Sequence, residues 1–320
     1  MKAVILDYAS LAPHDLDTKA LFALPFDWFT YDTTTPEETL ERITDADIVL
    51  TNKVVIGREM LSANHKIKLI IILATGTNNV DLEAAKERSI PVCNIVGYST
   101  ESVAQHTFAC LLYLQRRLGE YDTSVRDLSW SDSPFFCLLD FTIEDLSDKT
   151  LGIIGYGAIG NRVKELAEAF RMNVLVSESV VPSKRSKDGR VSLDTLLAES
   201  DVVSIHSPLS EHTENLINRE KLALMKDGAM LINMGRGGIV NEADLLEALT
   251  SGKLKAAAID VLSVEPPDKE NPIIKNQPEN LLITPHVAWA SRQARQNLVN
   301  QVVEILKSAD SGSLINRVNP

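Results

Sequence analysis

The stretch Thr150–Gly160, TLGIIGYGAIG, decides how the rest of this sequence is interpreted. Its first half is a short apolar run that predicts a buried β-strand. Gly155, Gly157 and Gly160 follow with the G-x-G-x-x-G spacing. The first glycine permits a tight turn, the second lets the backbone approach a pyrophosphate, and the third lets the next helix pack closely on the sheet. The amino end of that helix is then free to bind negative charge.

A second strand and a carboxylate follow this stretch at the spacing of a dinucleotide-binding unit. Helical periodicity covers Asn161–Phe170, and the run Asn173–Val176 leads to Glu178, 18 residues beyond Gly160. An acid ~20 residues after the glycines accepts hydrogen bonds from the adenine ribose of NAD. We therefore predict NAD as the cofactor.

Other residues near the glycines bear on the same cofactor. Ala158 and Ile159 would contact it from the first helical turn. Lys184 and Arg185 lie shortly after the ribose acid and leave the use of NADP open. The alternative interpretation is a glycine-rich strand–helix turn in some other α/β protein.

Composition and charge exclude several classes of partner. The chain has 320 residues, 44% of them hydrophobic, and a net charge of −12. An acidic surface of this kind does not attract nucleic acid or an anionic membrane. No apolar run reaches the ~18 residues of a membrane span. The N-terminus MKAVILDYAS predicts a strand rather than a cleaved signal. Cys93, Cys110 and Cys137 lack metal-ligand spacing, so we predict no metal site and reduced thiols in a cytoplasmic protein.

Residues 1–100 predict a small α/β unit of their own. Loops at the carboxyl ends of parallel strands bind ligands in such proteins, and ATGTNNVD is the clearest candidate here. An ordinary strand-to-helix turn explains that segment equally well. The predicted strands are Ala3–Leu6, Ile48–Leu50, Leu69–Leu73 and Pro91–Ile95, and the predicted helices are Thr35–Ile43 and Val80–Arg88.

The rest of the chain predicts a larger unit. One long apolar helix from Glu101 to about Gly119, with a hydrogen-bonded buried His106, precedes an irregular segment at 121–148. Strand-like runs then recur at intervals of 22–28 residues with helical stretches between them, which predicts a six-stranded doubly wound parallel sheet. The runs begin near Leu151, Asn173, Asp201, Ala229, Ala256 and Leu281.

The predicted fold is α/β, with two Rossmann-like domains of doubly wound parallel sheets and a cleft between them. A last helix at about Ser291–Ser308 would return to the first unit. Residues 1–100 plus about 287–320 would therefore form a discontinuous substrate (catalytic) domain, and residues 101–286 the NAD-binding Rossmann domain.

Three charged or titratable residues follow strands in the second half of the larger sheet. Arg236 lies in NMGRGG, Glu265 in DVLSVEPP and His286 in TPHVAWAS. Hydride transfer to a 2-oxo acid needs a cation for the carboxylate and carbonyl, an acid for the oxygen, and a carboxylate that orients that acid. Each residue alone could be structural or solvated, but their joint position at successive strand ends indicates catalysis.

The glycine loop, NMGRGG, DVLSVEPP and TPHVAWAS, in this order and spacing, resemble the D-isomer-specific 2-hydroxyacid dehydrogenases. Within that family the chain looks like the branch of glycerate dehydrogenase and hydroxypyruvate reductase. The resemblance covers nearly the whole chain, including ATGTNNVD and TNKV. It implies that Arg236 binds the substrate carboxylate and carbonyl, that His286 is the acid–base group, and that Glu265 is its partner. It also implies a homodimer built around the long helix.

Further binding residues follow from the resemblance and from position. By resemblance, Asp260 would hold the nicotinamide carboxamide, and the backbone at Thr75 and Gly76 would cradle the substrate carboxylate, with Thr75 also at the cofactor. By position, Lys53 and Trp289 would face the distal end of a short substrate. Alternatively, Trp289 packs at the domain interface and Lys53 is solvated. The resemblance also implies that the nicotinamide ribose is lined by Ser207, Met234 and Gly235.

Three departures from the family pattern stand out. The ribose acid is Glu178 rather than the commoner Asp, and Gln105 stands where the family has an acid in the long helix. The chain also ends at Pro320, before the regulatory domain that some phosphoglycerate dehydrogenases carry.

The predicted function is NAD(H)-dependent hydride transfer between nicotinamide and a short 2-oxo or D-2-hydroxy acid. Hydroxypyruvate and glyoxylate, giving D-glycerate and glycolate, are the predicted pair. The alternatives are a dinucleotide-sensing interaction protein of the same fold, similar to the C-terminal-binding corepressors, a formate dehydrogenase of the same superfamily, or a dehydrogenase with a different 2-oxo acid.

Overall fold

The computed structural model describes residues 1–184, 189–310 and 313–320. The strands are β1 (Lys2–Ile5), β2 (Asp27–Thr30), β3 (Ile48–Thr51), β4 (Leu69–Ile72), β5 (Val92–Cys93), β6 (Thr150–Ile154), β7 (Asn173–Val176), β8 (Val202–Ile205), β9 (Ala229–Asn233), β10 (Leu254–Ile259) and β11 (Leu281–Ile283). The helices are α1 (Lys19–Phe22), α2 (Pro36–Ile43), α3 (Arg58–Ala63), α4 (Leu82–Glu87), α5 (Thr100–Gln115), α6 (Leu118–Arg126), α7 (Ala158–Ala169), α8 (Leu193–Glu199), α9 (Arg219–Leu224), α10 (Glu242–Thr250), α11 (Pro272–Lys275) and α12 (Arg292–Asp310).

The chain divides into two compact units. Unit 1 comprises Met1–Ser99 and Ala290–Pro320, and unit 2 comprises Thr100–Trp289. The chain therefore returns to unit 1 at Ala290, three residues after residue 287, where we expected the return. No described helix combines the length and the hydrophobicity needed to cross a membrane.

Unit 1 contains a five-stranded parallel sheet in the order β2-β1-β3-β4-β5. Successive residues of each strand point to opposite faces, and both faces are covered. On one face Ala3 and Ile5 pack with Leu298 and Val302 of α12. On the other face Val4 packs against residues of the helices between the strands. Helix α12 thus completes the core of unit 1.

Strand β2 was missed by the sequence analysis. Its residues, DWFT, are mostly exposed, because β2 is an edge strand that pairs only with β1. Only Trp28 packs against the core of unit 1. An edge strand with one buried side chain shows no apolar run, so hydrophobic periodicity could not detect it.

Unit 2 contains a six-stranded parallel sheet in the order β11-β10-β9-β8-β6-β7. This confirms the predicted six-stranded parallel sheet. Strand β6 pairs with β7 on one side and β8 on the other, so the direction of winding reverses at β6. Ligands of such sheets bind at this reversal, outside the carboxyl ends of the strands.

The predicted single long helix was wrong. Helix α5 ends at Gln115, and Arg117 has a positive φ of 53°, after which α6 runs to Arg126. At Gly119 the chain lies so close to α5 that an added Cβ would sit 2.2 Å from Tyr113 Oη. Leu118 keeps the helical spacing of Leu111 and Leu114 across this break, so periodicity alone did not show it. The irregular segment consequently begins after Arg126 rather than at residue 121.

Candidate active site

The carboxyl ends of β6 to β11 form one edge of the larger sheet, and the candidate site residues of unit 2 lie along it. We call this edge the unit 2 rim. The three residues proposed for chemistry follow the strands at one end of the sheet, and the glycine loop and the proposed ribose acid follow the strands at the other. In sheet order they are His286 after β11, Asp260 and Glu265 after β10, Arg236 after β9, Ser207 after β8, Gly155 after β6 and Glu178 after β7.

Each glycine of the G-x-G-x-x-G loop has different surroundings in the structure. Gly155 has a φ of 93°, and an added Cβ would lie 2.5 Å from Ser207 Oγ. An added Cβ on Gly160 would lie 2.2 Å from the carbonyl oxygen of Gly155, so a larger residue does not fit at this position in the first turn of α7. Gly157 faces open space and precedes α7 without a side-chain cap. The first-turn N–H groups of α7 are thus available to an anion.

Glu178 lies just beyond β7, where we expected the ribose acid. The N–H of Ser177 donates to Ile153 O, and that of Glu178 donates to Val191 O at 2.8 Å, which fixes the main chain here. Arg185 lies outside the described residues. The influence of Lys184 and Arg185 on the use of NADP therefore stays a prediction.

Arg236 lies in a turn that Asn233 closes. The Asn233 side chain donates to Arg236 O at 3.0 Å and accepts from the N–H of Gly235 at 3.0 Å. The half-buried guanidinium donates through Nη1 to Gly235 O at 2.9 Å. Within residues 1–184, 189–310 and 313–320 it makes no ion pair. Its other N–H groups can therefore bind a carboxylate in the two-bond geometry that arginine favours.

His286 and Glu265 are brought together although 21 residues separate them. His286 Nδ1 lies 2.6 Å from Glu265 Oε2, while Glu265 Oε1 accepts the N–H of Leu262 at 3.0 Å. The side chains of the pair are 24% and 33% exposed. His286 Nε2 has no hydrogen-bond partner among the described residues. The carboxylate keeps a proton on Nδ1, so Nε2 is the atom that can exchange a proton with a ligand.

The buried side chain of Asp260 fixes the main chain around His286. Its Oδ1 accepts from Thr284 Oγ1 at 2.6 Å and from the N–H of Val287 at 2.9 Å, and its Oδ2 accepts from the N–H of Ala288 at 2.9 Å. The N–H of His286 donates to Asp260 O at 2.8 Å. Sequence analysis did not find this role, and the contact of Asp260 with the carboxamide stays a prediction.

Other side chains surround this loop within unit 2. His106 Nε2 lies 3.0 Å from Thr284 Oγ1, so the predicted hydrogen bond of His106 is present, although its side chain remains 23% exposed. Trp289 Nε1 donates to His286 O at 2.9 Å, and the ring packs against the core of unit 2. The proposed contact of Trp289 with substrate stays a prediction.

The loop that carries Glu265 is fixed from the side of β9 and α10. An added Cβ on Gly237 would lie 1.8 Å from Leu262 O, so only glycine permits this approach. Glu242 at the start of α10 accepts the N–H of Ser263 at 2.6 Å. Sequence analysis missed Glu242, and the glycine pair at 237–238 in NMGRGG was the signal that the two loops touch.

The side chains of two predicted ribose-lining residues are buried. Met234 is 6% exposed and belongs to the core of unit 2, and Ser207 is 9% exposed. An added Cβ on Gly235 would lie 2.8 Å from Ser207 O, so the turns after β8 and β9 touch through their main chains. Met234 therefore offers only its main chain to a ligand.

The remaining predicted residues belong to unit 1, at the carboxyl ends of its strands. Lys53 follows β3, and Thr75 and Gly76 follow β4. Thr75 Oγ1 donates to Ile95 O at 2.8 Å, and Asn94 Nδ2 donates to Thr75 O at 2.8 Å. The segments after β4 and β5 thus hold each other in place. Among the described residues, no three His, Cys, Asp or Glu side chains form a group that could hold a metal ion.

Comparison with known proteins identifies the family. Residues 108–288 match the family model for the NAD binding domain of D-isomer specific 2-hydroxyacid dehydrogenases. The hydroxypyruvate reductase of Blautia hydrogenotrophica is 41% identical over 324 residues, which span 100% of both chains. This chain belongs to the D-isomer specific 2-hydroxyacid dehydrogenase family. It is therefore an oxidoreductase with NAD as its cofactor.

Two further proteins resemble this dehydrogenase. The glycerate dehydrogenase of Methylorubrum extorquens is 42% identical over 312 residues, or 97% of this chain and 96% of the relative. The structure of D-lactate dehydrogenase from Aquifex aeolicus, complexed with NAD and lactic acid, has a TM-score of 0.83 and 31% identity and covers 99% of each chain. The uncapped amino end of α7 beside the open space at Gly157 fits a dinucleotide pyrophosphate.

Proposed function

We propose that this dehydrogenase reduces hydroxypyruvate to D-glycerate and glyoxylate to glycolate with NADH. The observation that carries the proposal is the His286–Glu265 pair on the same rim as Arg236. Arg236 has no ion-pair partner among the described residues, as a carboxylate-binding arginine requires. The names of the two relatives that align over nearly the whole chain support this choice of acid.

Unit 2 would hold the cofactor. The first-turn N–H groups of α7, at Ala158 and Ile159, would bind the pyrophosphate, and Glu178 would accept hydrogen bonds from the ribose hydroxyls. When bound, NADH supplies a hydride to the carbonyl carbon. The carboxylate of Glu178 would repel a 2′-phosphate, so NADH would be preferred over NADPH.

The chemistry would rest on three side chains of the unit 2 rim. Arg236 would bind the substrate carboxylate through parallel hydrogen bonds and polarise the carbonyl. Protonated His286 would donate from Nε2 to the carbonyl oxygen. Glu265, which binds Nδ1, would orient the ring so that Nε2 faces the carbonyl oxygen.

Unit 1 would supply the substrate contacts, which makes it the substrate domain. Main-chain N–H groups at Thr75 and Gly76 would bind the carboxylate, and Lys53 would meet the hydroxyl at the distal end of hydroxypyruvate. The ring of Trp289 would exclude branched or aromatic acids.

A homodimer is the proposed assembly. Large apolar side chains between residues 113 and 143 are exposed, among them Phe136 at 92%, Leu139 at 80% and Phe135 at 73%. A surface with this many exposed apolar side chains indicates a protein interface. It includes residues of α5 and α6, in agreement with the dimer that the family resemblance implies.

The cytoplasm is the proposed compartment. Cys93, Cys110 and Cys137 are all free thiols. Burial raises the pKa of Cys93 and of Cys110 to about 11, so neither is poised to react. Free thiols of this kind persist in a reducing compartment.

A panel of acids tests the proposed function. NADH oxidation is followed by absorbance with hydroxypyruvate, glyoxylate, phenylpyruvate and 2-oxoisocaproate, and each acid is repeated with NADPH. We expect a much higher kcat/KM for the two small acids and for NADH. Preference for a bulky acid would contradict the choice of substrate, and binding of NADH without turnover of any acid would indicate a dinucleotide sensor.

A further inference from the structure

A buried carboxylate, Asp7, lies at the carboxyl end of β1 in unit 1. It is 6% exposed and accepts hydrogen bonds from three consecutive main-chain N–H groups of the loop after β3. Its oxygens lie 2.9 and 3.0 Å from Asn52 N, and Oδ2 lies 2.6 Å from Lys53 N and 3.3 Å from Val54 N. We call residues 52–54 the β3 loop. Asp7 thus contacts the loop that presents Lys53.

These hydrogen bonds are the main compensation for burying the charge of Asp7. Across the described ranges, with their gaps at 185–188 and 311–312, no lysine, arginine or histidine pairs with Asp7. A 3-10 turn begins at Tyr8, yet the Asp7 side chain makes no capping bond to it. A buried carboxylate without a counter-ion is costly unless N–H groups surround it. The position of Asp7 is therefore tied to one conformation of the β3 loop.

The β3 loop is also tied to the loop after β4. Asn79 Nδ2 donates to Val54 O at 3.2 Å, and Thr51 Oγ1 donates to the same oxygen at 3.1 Å. Asn79 belongs to the segment that carries Thr75 and Gly76. A shift of the β3 loop would therefore disturb both segments that the proposed function assigns to substrate.

We propose that Asp7 is a positioning residue for substrate specificity, which fixes the β3 loop so that Lys53 receives the distal hydroxyl of hydroxypyruvate. This rests on the proposed function. Glyoxylate has no distal hydroxyl, so its binding depends less on the β3 loop. Asp7 consequently controls the preference for hydroxypyruvate over glyoxylate.

The variant Asp7→Asn tests this role with little change in size. In one orientation its amide group would face the N–H groups of Lys53 and Val54, donor against donor, so the β3 loop would be released. We expect KM for hydroxypyruvate to rise roughly tenfold, as for loss of one hydrogen bond to a charged group. KM for glyoxylate should rise less, kcat should change little, and NADH binding should be unchanged.

Asp47→Asn is the matched control. Asp47 lies directly before β3, at the end of that strand opposite the β3 loop. It accepts the N–H of Lys2 at 2.9 Å and pairs with Lys68 at 2.7 Å. Its loss should lower the stability of unit 1 without moving the preference between the two acids. Asp7→Asn, but not Asp47→Asn, should also speed hydrogen exchange at the main-chain N–H groups of the β3 loop.

A double variant completes the test. In a Lys53→Gln background, Asp7→Asn should cause no further loss of preference for hydroxypyruvate. If wild-type protein reduces neither acid, the proposed function is overturned. If wild-type protein reduces both and Asp7→Asn retains the wild-type preference, only the role of Asp7 is overturned.

Discussion

Asp7 on the smaller sheet and Asp260 on the larger sheet occupy equivalent positions. Each lies at the carboxyl end of a buried strand and is almost fully buried, at 6% and 2% exposure. Each accepts hydrogen bonds from consecutive main-chain N–H groups in the loop after a neighbouring strand, β3 for Asp7 and β11 for Asp260. The same arrangement of hydrogen bonds therefore fixes a loop with proposed functional residues in both units.

The two loops differ in strain and in what they carry. His286, beside the loop amides that Asp260 binds, has a positive φ of 53°, a conformation that costs a non-glycine residue roughly 1–2 kcal/mol. None of Asn52, Lys53 and Val54 has a positive φ. Asp260 thus maintains a strained main chain at the residue proposed to transfer a proton, whereas Asp7 maintains a loop proposed to bind substrate. Loss of Asp260 should lower kcat, and loss of Asp7 should raise KM.

His286→Gln should give the largest effect. Its loss of kcat sets the upper limit for the loss of kcat that Asp260→Asn can cause. Glutamine can still form hydrogen bonds but cannot deliver a proton, so kcat should fall roughly hundredfold to ten-thousandfold. Steady-state reduction of hydroxypyruvate measures this, with NADH binding by fluorescence as the control for an intact unit 2. A kcat near the wild-type value would remove His286 from the proton transfer.

Asp260→Asn should come next and tests the comparison directly. The amide group would oppose the main-chain N–H of Val287 or Ala288, and the strained His286 would relax away from its position. A displacement of about 1 Å costs on the order of a hundredfold in rate, so kcat should fall by up to that factor while KM changes little.

Asp201→Asn controls for the stability of unit 2. Asp201 accepts the N–H of Thr150 at 2.7 Å and pairs with Lys226 at 3.0 Å, at the amino end of the same sheet. Equal effects of the two substitutions on kcat would show that Asp260 only stabilises the fold.

Local patterns explain what could be predicted from the sequence. The glycines at 155, 157 and 160 all lie in one strand–helix turn between β6 and the first turn of α7, so their spacing carries the information. Buried strands such as β6 and β9 are continuous apolar runs. Strand β2 lacks such a run because it lies at an edge, and the break before α6 depends on one positive φ and a close contact of Gly119.

Non-local hydrogen bonds explain what could not be predicted. Arg236, Glu265 and His286 could be proposed because each follows a strand, but the bonds that tie the main chain at 286–288 to Asp260 join distant parts of the chain. Asp7 lies 45 residues from Asn52, and no periodicity links the two. One signal was present, since VILD at Asp7 and AAID at Asp260 both place an aspartate directly after an apolar strand segment.

Arg236→Lys should have a smaller effect, on kcat and KM together, that involves neither of the two buried aspartates. Arg236 depends on neither Asp7 nor Asp260, because Asn233 closes its turn. Lysine keeps the charge but loses the parallel hydrogen bonds, so kcat should fall and KM should rise together. The expected loss in kcat/KM is roughly tenfold or more, from ~1.5–3 kcal/mol for a charged hydrogen bond. An unchanged kcat/KM would show that another group binds the carboxylate.

Glu265→Gln should give the smallest effect, which separates contacts of the His286 ring from contacts of its main chain. Glutamine can still accept the N–H of Leu262, but it no longer gives Nδ1 of His286 a charged hydrogen-bond partner, so the ring is oriented less firmly. We expect kcat to fall roughly threefold to tenfold with little change in KM, because a neutral hydrogen bond contributes about 1 kcal/mol less than a charged one. Asp260 binds main-chain N–H groups and Thr284 rather than the ring, so Asp260→Asn should speed hydrogen exchange at Val287 and Ala288, whereas Glu265→Gln should not. Glu270→Gln removes an exposed ion pair with Lys275 and serves as the control. If Glu265→Gln speeds exchange at these N–H groups as much as Asp260→Asn does, the two carboxylates act on the loop alike, and the proposed parallel between Asp260 and Asp7 fails.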